Sequence, residues 1–144
     1  MTSSPNLTGV PETMLWPLYN RSSEALRPKA FLKDPEAVRI FEAISYDYAR
    51  SFGKPDESHP MRSELFDHVV RPWVLEHQGG TVVELACGLE TQFQRCDDGD
   101  VNWVCVDLPE AIEVRQRFLP SSRRCRFVAK SALDLSWMDD VDAS

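Results

Sequence analysis

The stretch TVVELACGLETQFQR, residues 81–95, limits what this chain can fold into more than any other. Its first part, Thr81-Val82-Val83-Glu84-Leu85-Ala86, is apolar and β-branched and follows a Gly79-Gly80 break. Runs of that kind form buried parallel strands. The run passes through Cys87-Gly88 into Leu89-Glu90-Thr91-Gln92-Phe93-Gln94-Arg95, a segment suited to start a helix. A glycine at a strand-to-helix junction lets the backbone approach a ligand closely. Further on, Asn102-Trp103-Val104-Cys105-Val106-Asp107 reads as a second apolar strand that ends on a carboxylate. A carboxylate there is placed to accept both hydroxyls of a ribose.

The glycines do not follow the pyrophosphate pattern. G-x-G-x-x-G would need glycines at 86, 88 and 91, and the chain has Ala86, Gly88 and Thr91. Without that nest of N–H groups, a ligand with a nucleoside but no phosphates is expected, and S-adenosylmethionine fits. A nicotinamide-dependent dehydrogenase is disfavoured for the same reason. A βαβ unit with no ligand also satisfies the strand-turn-helix pattern taken alone.

A chain of 144 residues with 42% apolar content is one domain's worth and enough for a core. A net charge of −7 argues against nucleic acid or an anionic membrane as partner. No apolar run approaches the ~20 residues of a membrane span, and residues 1–6 lack the basic and apolar regions of a signal peptide. Cys87, Cys96, Cys105 and Cys125 form no C-x-x-C pair, so no metal site is expected. Three of them lie in or beside apolar strands, where cysteine acts as a small hydrophobe. A reduced, cytoplasmic protein is the expectation.

Residues 1–12 read as a flexible N-terminus, residues 13–60 as a helical segment and residues 61–144 as the sheet-bearing half. A helix is expected over 13–26, with Thr13 as cap and Pro17 one turn in. A second starts at Asp34-Pro35, cap and first helical residue, with Ala37, Ile40, Phe41 and Ile44 at core spacing. Residues 53–60, GKPDESHP, read as a loop with His59 on the surface. A third helix over 61–77 would present Leu65, Phe66, Val69, Val70, Trp73 and Val74 on one face and kink or break near Arg71, before Pro72. After Asp107, Pro109 opens a helix to about Leu119, Arg126-Phe127-Val128-Ala129 forms a third strand, and an acidic end follows at 139–142. Strands and helices thus alternate β-α-β-α-β, the first half of a doubly wound sheet, with the strand C-termini along one edge.

These residues resemble the leucine carboxyl methyltransferase family, which includes the tetracenomycin-type polyketide O-methyltransferases. Glu84-Leu85-Ala86-Cys87-Gly88-Leu89-Glu90-Thr91-Gln92 is similar to its first motif, and Asp107-Leu108-Pro109-Glu110 to the acidic motif after strand two. Ser131-Ala132-Leu133-Asp134 with Trp137 is similar to the loop after strand three. Upstream, Asn20-Arg21-Ser22-Ser23-Glu24, Asp34-Pro35 and Met61-Arg62 resemble the family's N-terminal helices, so the likeness spans residues 13–142.

The resemblance implies a Rossmann-like class I methyltransferase fold, its first βαβαβ half preceded by N-terminal helices. It implies S-adenosylmethionine as cofactor and methyl transfer to a carboxylate or hydroxyl of a small molecule, polyketide-like or another secondary metabolite. Glu84 and Gly88 would border the amino-acid and sugar portion of the cofactor, and Asp107 would accept the ribose hydroxyls. Leu108, Ser131, Ala132 and Leu133 would line the nucleoside side. Arg62 and Arg21 would pair with the cofactor's carboxylate, which a guanidinium fork holds with two hydrogen bonds. No catalytic base is identified. The family continues past the third strand for about as many residues again, so the chain reads as its N-terminal half, truncated after strand three. On this reading it is a fragment, a naturally truncated product, or a chain completed by a homo-oligomer or a partner that supplies the missing half. The alternative is a non-catalytic remnant that binds the cofactor or pairs with a full-length relative.

Overall fold

The computed structural model describes residues 10–141. Of the expected flexible N-terminus, residues 1–9 lie outside the described residues, as does Asp142 of the acidic end. Helix α1 (Val10–Ala25) starts three residues before the sequence reading, so Thr13 lies inside it and does not cap it. Its Met14, Leu15, Leu18 and Tyr19 enter a core shared with Ala37, Ile40 and Ile44 of the next helix and its C-cap. That helix, α2 (Pro35–Ala43), begins as the sequence reads: Asp34 Oδ1 accepts from the Ala37 N–H at 3.0 Å, and Pro35 opens the first turn. A short helix, α3 (Tyr48–Phe52), is capped by Asp47 and closed by Gly53 at φ 75°. No sequence signal marked it. It carries Tyr48 into an aromatic cluster with Tyr19, Phe41 and Tyr46.

Helix α4 (Ser58–Glu76) corrects three expectations. It starts inside the predicted loop, and His59 is half-buried, with Nδ1 2.8 Å from Asn20 Nδ2 and its ring edge-on to Trp16. It runs on through Pro72 rather than breaking there, with Val74 buried beyond the proline and the His77 N–H closing the end on Trp73 O at 2.9 Å. And it is rotated. Of the six apolar residues expected on its inner face only Val74 is buried, while Leu65, Phe66, Val69 and Trp73 are exposed. Pro60, Ser63, Asp67 and Val74 face inward instead. On this inward side Asp67 meets the buried Arg95 guanidinium at 2.7 Å.

Three parallel strands follow, β1 (Thr81–Leu85), β2 (Asn102–Asp107) and β3 (Cys125–Ala129), in the order β1-β2-β3. Strand β2 is the centre, with Trp103, Val104, Cys105 and Val106 fully buried. Gly80 leads into β1 where only glycine fits, since an added Cβ would lie 2.8 Å from His77 O and 2.9 Å from the Trp73 ring. The crossovers are α5 (Gln92–Cys96) and α6 (Pro109–Phe118), which begins at Pro109 as read. Trp103, Cys105, Cys125, Ile112 and Val74 form the core on the helix-bearing face. On the opposite face Val104, Val106 and Val128 are covered by Trp137 and Val141 of α7 (Trp137–Val141). No helix among the described residues is long and apolar enough to cross a membrane.

Candidate functional site

The C-terminal ends of β1 and β2 open onto a cavity of about 680 Å³. Its walls are residues 82–90 of β1 and the following loop, Asp107, the start of α4 with Arg62, Ser63 and Phe66, and Met14, Pro17 and Arg21 of α1. That volume lies within the range of small-molecule sites.

The loop after β1 is sharply turned. Ala86 has φ 55° and Gly88 φ 50°. Left-handed backbone costs an alanine about 1–2 kcal/mol, and such outliers gather at ligand-facing turns. At Gly88 the conformation alone calls for glycine, because the nearest atom to an added Cβ is Met14 Cγ at 3.7 Å. Two groups hold the turn. Asp107 Oδ2 accepts from the Gly88 N–H and Oδ1 from the Leu108 N–H, each at 2.8 Å. Arg115, fully buried on α6, donates to the carbonyls of Gly88 at 3.1 Å and Glu90 at 2.7 Å and lies over the Phe127 ring. Sequence reading missed Arg115. An arginine among the inward positions of a helix carries no signal of its own.

Each Asp107 oxygen has one backbone donor and keeps lone pairs for another. The Gly88 N–H, which in a phosphate-binding turn would face the ligand, is already taken by a carboxylate. The site therefore suits hydroxyls and repels phosphates.

Glu84 lines the cavity, but its carboxylate accepts from Trp103 Nε1 at 2.8 Å and sits 3.9 Å from Cys105 Sγ. Burial, with the nearby Cys105 and Glu90, pushes its pKa up to about 8. Burial acts upward on Glu90 too, but Arg21 and Arg95 outweigh it and hold that carboxyl down at about 2.

Arg95 is the centre of the ion network beneath the loop. It meets Asp34 at 2.8 Å, Asp67 at 2.7 Å and Glu90 at 2.7 Å, with 3% of its side chain exposed. The hydroxyl of Thr91 donates to Asp34 Oδ2 at 2.6 Å. Glu90-Thr91-Gln92 and Arg95, read as motif and helix start, thus tie α1, α2 and α4 to the sheet. Arg21 belongs to the same network. It donates to Leu89 O at 2.9 Å and lies 3.6 Å from both Asp34 and Glu90. Its side chain is buried beside these carboxylates, at the wall of the cavity. Arg62 is exposed on the cavity wall and, among the described residues, forms no ion pair.

The remaining expected residues stand apart from this cavity. Leu108 follows Asp107 but is not among its walls. Ser131, Ala132 and Leu133 lie in the loop after β3, where Ser131 Oγ accepts from the Leu133 N–H at 3.1 Å and Trp137 Nε1 donates to Ala132 O at 3.1 Å. Leu133 is 91% exposed.

A parallel sheet with a carboxylate at the end of β2 and a turned loop after β1 defines the first half of a Rossmann-like methyltransferase fold. No protein-family model matches the chain. The chain is 33% identical over 138 residues to the tetracenomycin polyketide synthesis O-methyltransferase TcmP of Streptomyces glaucescens, a match covering 94% of this chain and 51% of that protein. It is 24% identical over 153 residues to the S-adenosyl-L-methionine-dependent methyltransferase dpfgK of Gibberella zeae, with the same shares covered. The chain is thus similar to a tetracenomycin-type O-methyltransferase, and it spans about half the length of the curated relatives it matches.

Proposed function

We propose that the chain forms the cofactor-binding part of an S-adenosylmethionine-dependent O-methyltransferase acting on a small molecule, with a carboxylate or hydroxyl of a polyketide-like or other secondary metabolite as acceptor. Asp107 carries the reading: its carboxylate keeps acceptor capacity at the cavity while fixing the Gly88 turn. In this reading Asp107 accepts the ribose hydroxyls, Gly88 and Glu84 border the amino-acid and sugar portion, and Arg62 holds the methionyl carboxylate. Leu108, Ser131, Ala132 and Leu133 form the adenine side, and Arg21 acts by holding the loop at Leu89 O.

Bound there, the cofactor supplies a methyl group on a sulfonium. The part of this chain is to hold that methyl in line with an acceptor oxygen, since alignment is the main lever on such a displacement. The acceptor side is completed by further polypeptide, in the same chain or from a partner. Both relatives are methyltransferases, which supports this reading over a non-catalytic remnant. We place the protein in the cytoplasm on its four buried, free cysteines.

Titration with S-adenosylhomocysteine and with adenosine tests the reading. Asp107→Ala should weaken both ligands, each lost charge-assisted hydrogen bond being worth about 1.5–3 kcal/mol. Arg62→Ala should weaken only S-adenosylhomocysteine, and by about 1 kcal/mol, because the guanidinium is open to water. Arg62→Lys should recover little, since an ammonium makes no fork. Equal losses for both ligands in Arg62→Ala would overturn the carboxylate role.

A further inference from the structure

Helix α4 begins without a capping side chain: Glu57, its N-cap residue, makes no such bond. Its first turn is held from outside instead. Asp56 Oδ1 accepts from the Ser58 N–H at 2.9 Å. Asn20, buried on α1, reaches both sides of the junction. Its Oδ1 accepts from the Asp56 N–H at 3.1 Å, and its Nδ2 faces His59 Nδ1 at 2.8 Å. The His59 ring also stands edge-on to Trp16 of α1.

This geometry fixes the protonation state of His59. Only an oxygen can accept from the Asp56 N–H, so the Asn20 amide has one orientation and presents its NH2 to the ring. His59 Nδ1 is then an acceptor, and the ring proton lies on Nε2. A proton on Nδ1 would set two donors against each other. The surroundings agree. Burial, Arg62 and Arg21 hold the His59 pKa below its ordinary 6.5, while Asp56 and Glu90 pull it up. A cation in the first turn of a helix also opposes the helix dipole.

Arg62 follows three residues after His59, one turn along the same side of α4. Arg62 and Ser63 are walls of the cavity, and Ser63 Oγ lies 3.5 Å from Glu90 Oε2. His59 and Asn20 are not among those walls. Whatever fixes the first turn of α4 therefore fixes side chains that do face the ligand.

We propose that His59 is a positioning residue for the cavity: its neutral ring, held by Asn20, fixes the first turn of α4 and so aims Arg62, and protonation of the ring frees that turn. The proposal rests on the methyltransferase reading only for the ligand that Arg62 meets. Above about pH 6.5 the ring is neutral whether the turn is closed or open, and the clamp is at full strength. As pH falls below that value the open form takes up the proton first, so the clamp weakens.

NMR of the imidazole nitrogens reads the tautomer directly. At pH 8 His59 should carry its proton on Nε2, and it should titrate below 6.5. On going from pH 8 to 5 the wild type should lose affinity for S-adenosylhomocysteine by about threefold to fivefold, the worth of one water-exposed carboxylate contact. The Met61 amide, which bonds to Glu57 O, should exchange faster over the same range. Adenosine, which lacks the carboxylate, should not show this loss. His59→Gln keeps an oxygen that accepts from Asn20 but does not titrate, so it should bind as the wild type does at pH 8 and lack the loss at pH 5. Asn20→Asp accepts from a protonated ring, so it should raise the His59 pKa and keep the affinity at pH 5. A proton on Nδ1 at pH 8, or the same loss in His59→Gln, overturns the proposal. So does affinity that rises as pH falls, which would make the ring itself a contact of the carboxylate. If the tautomer and the Met61 exchange follow pH as stated but neither ligand binds, the clamp stands and the methyltransferase reading falls.

Discussion

Glu84 occupies a position that reads as a cofactor contact, yet its carboxyl lies between the Trp103 indole and the Cys105 thiol. Its pKa rises from an ordinary 4.5 to about 8, through burial first and then Cys105 and Glu90. Between those values the folded chain keeps a proton that the unfolded chain releases. Stability from this group is therefore complete below about pH 4.5 and declines as pH rises towards 8, by at most about 1.4 kcal/mol per pH unit. Glu84→Gln should remove that slope. The thermal midpoints of wild type and variant, followed from pH 5 to 8, should diverge progressively, the wild type falling further. A constant gap would mean that Glu84 is ionised in the fold. Glu90 acts with the opposite sign. Its pKa is held at about 2, so its contribution is complete above about pH 4.5 and is lost as pH falls towards 2, outside the window of the Glu84 test.

At the scale of elements, the N-terminal helices join the sheet through charge as much as through apolar packing. Arg95 on α5 reaches Asp34 before α2, Asp67 on α4 and Glu90 of the loop. Through this network the inward polar side of α4 is paired. Arg95→Met should cost about 3–5 kcal/mol, because it takes from the buried Asp34 and Asp67 their closest cation and leaves only Arg21 and Arg71 at 3.6 and 3.8 Å. Urea unfolding would measure it. A loss under about 1 kcal/mol would mean that Arg21 takes over the pairing. Changing Arg95, Asp34 and Asp67 together to apolar residues should restore part of the loss, since no buried charge is then stranded.

For the whole molecule, the order β1-β2-β3 leaves one strand paired on both sides. Strand β2 is fully buried from Trp103 to Val106, whereas the outward side of α4 has little packed against it. Amide exchange should therefore fall into two classes. Val104 and Val106 should exchange only with global unfolding, and Leu65 and Val69 by smaller openings at much lower free energy. Equal protection in both places would mean that α4 unfolds together with the sheet.

The strand positions and the carboxylate at the end of β2 were legible in the sequence, because apolar β-branched runs ending in a polar residue have few alternatives in a parallel sheet. The same holds for the Asp34 cap and for Pro109 at the start of α6, which are local chemistry. The loop after β1 was half legible. Gly88 announces a turn, but the left-handed Ala86 and the Arg115 hydrogen bonds beneath it depend on residues brought together from β2 and α6. Orientation was not legible. Periodicity shows that α4 has an apolar stripe but not which way it faces, and the inward side carries Asp67, whose partner Arg95 lies 28 residues on. Arg21 and Arg62 look alike in sequence. Tertiary structure buries one against two carboxylates and leaves the other open at the cavity, because the partners of Arg21 lie 13 and 69 residues away along the chain, at Asp34 and Glu90.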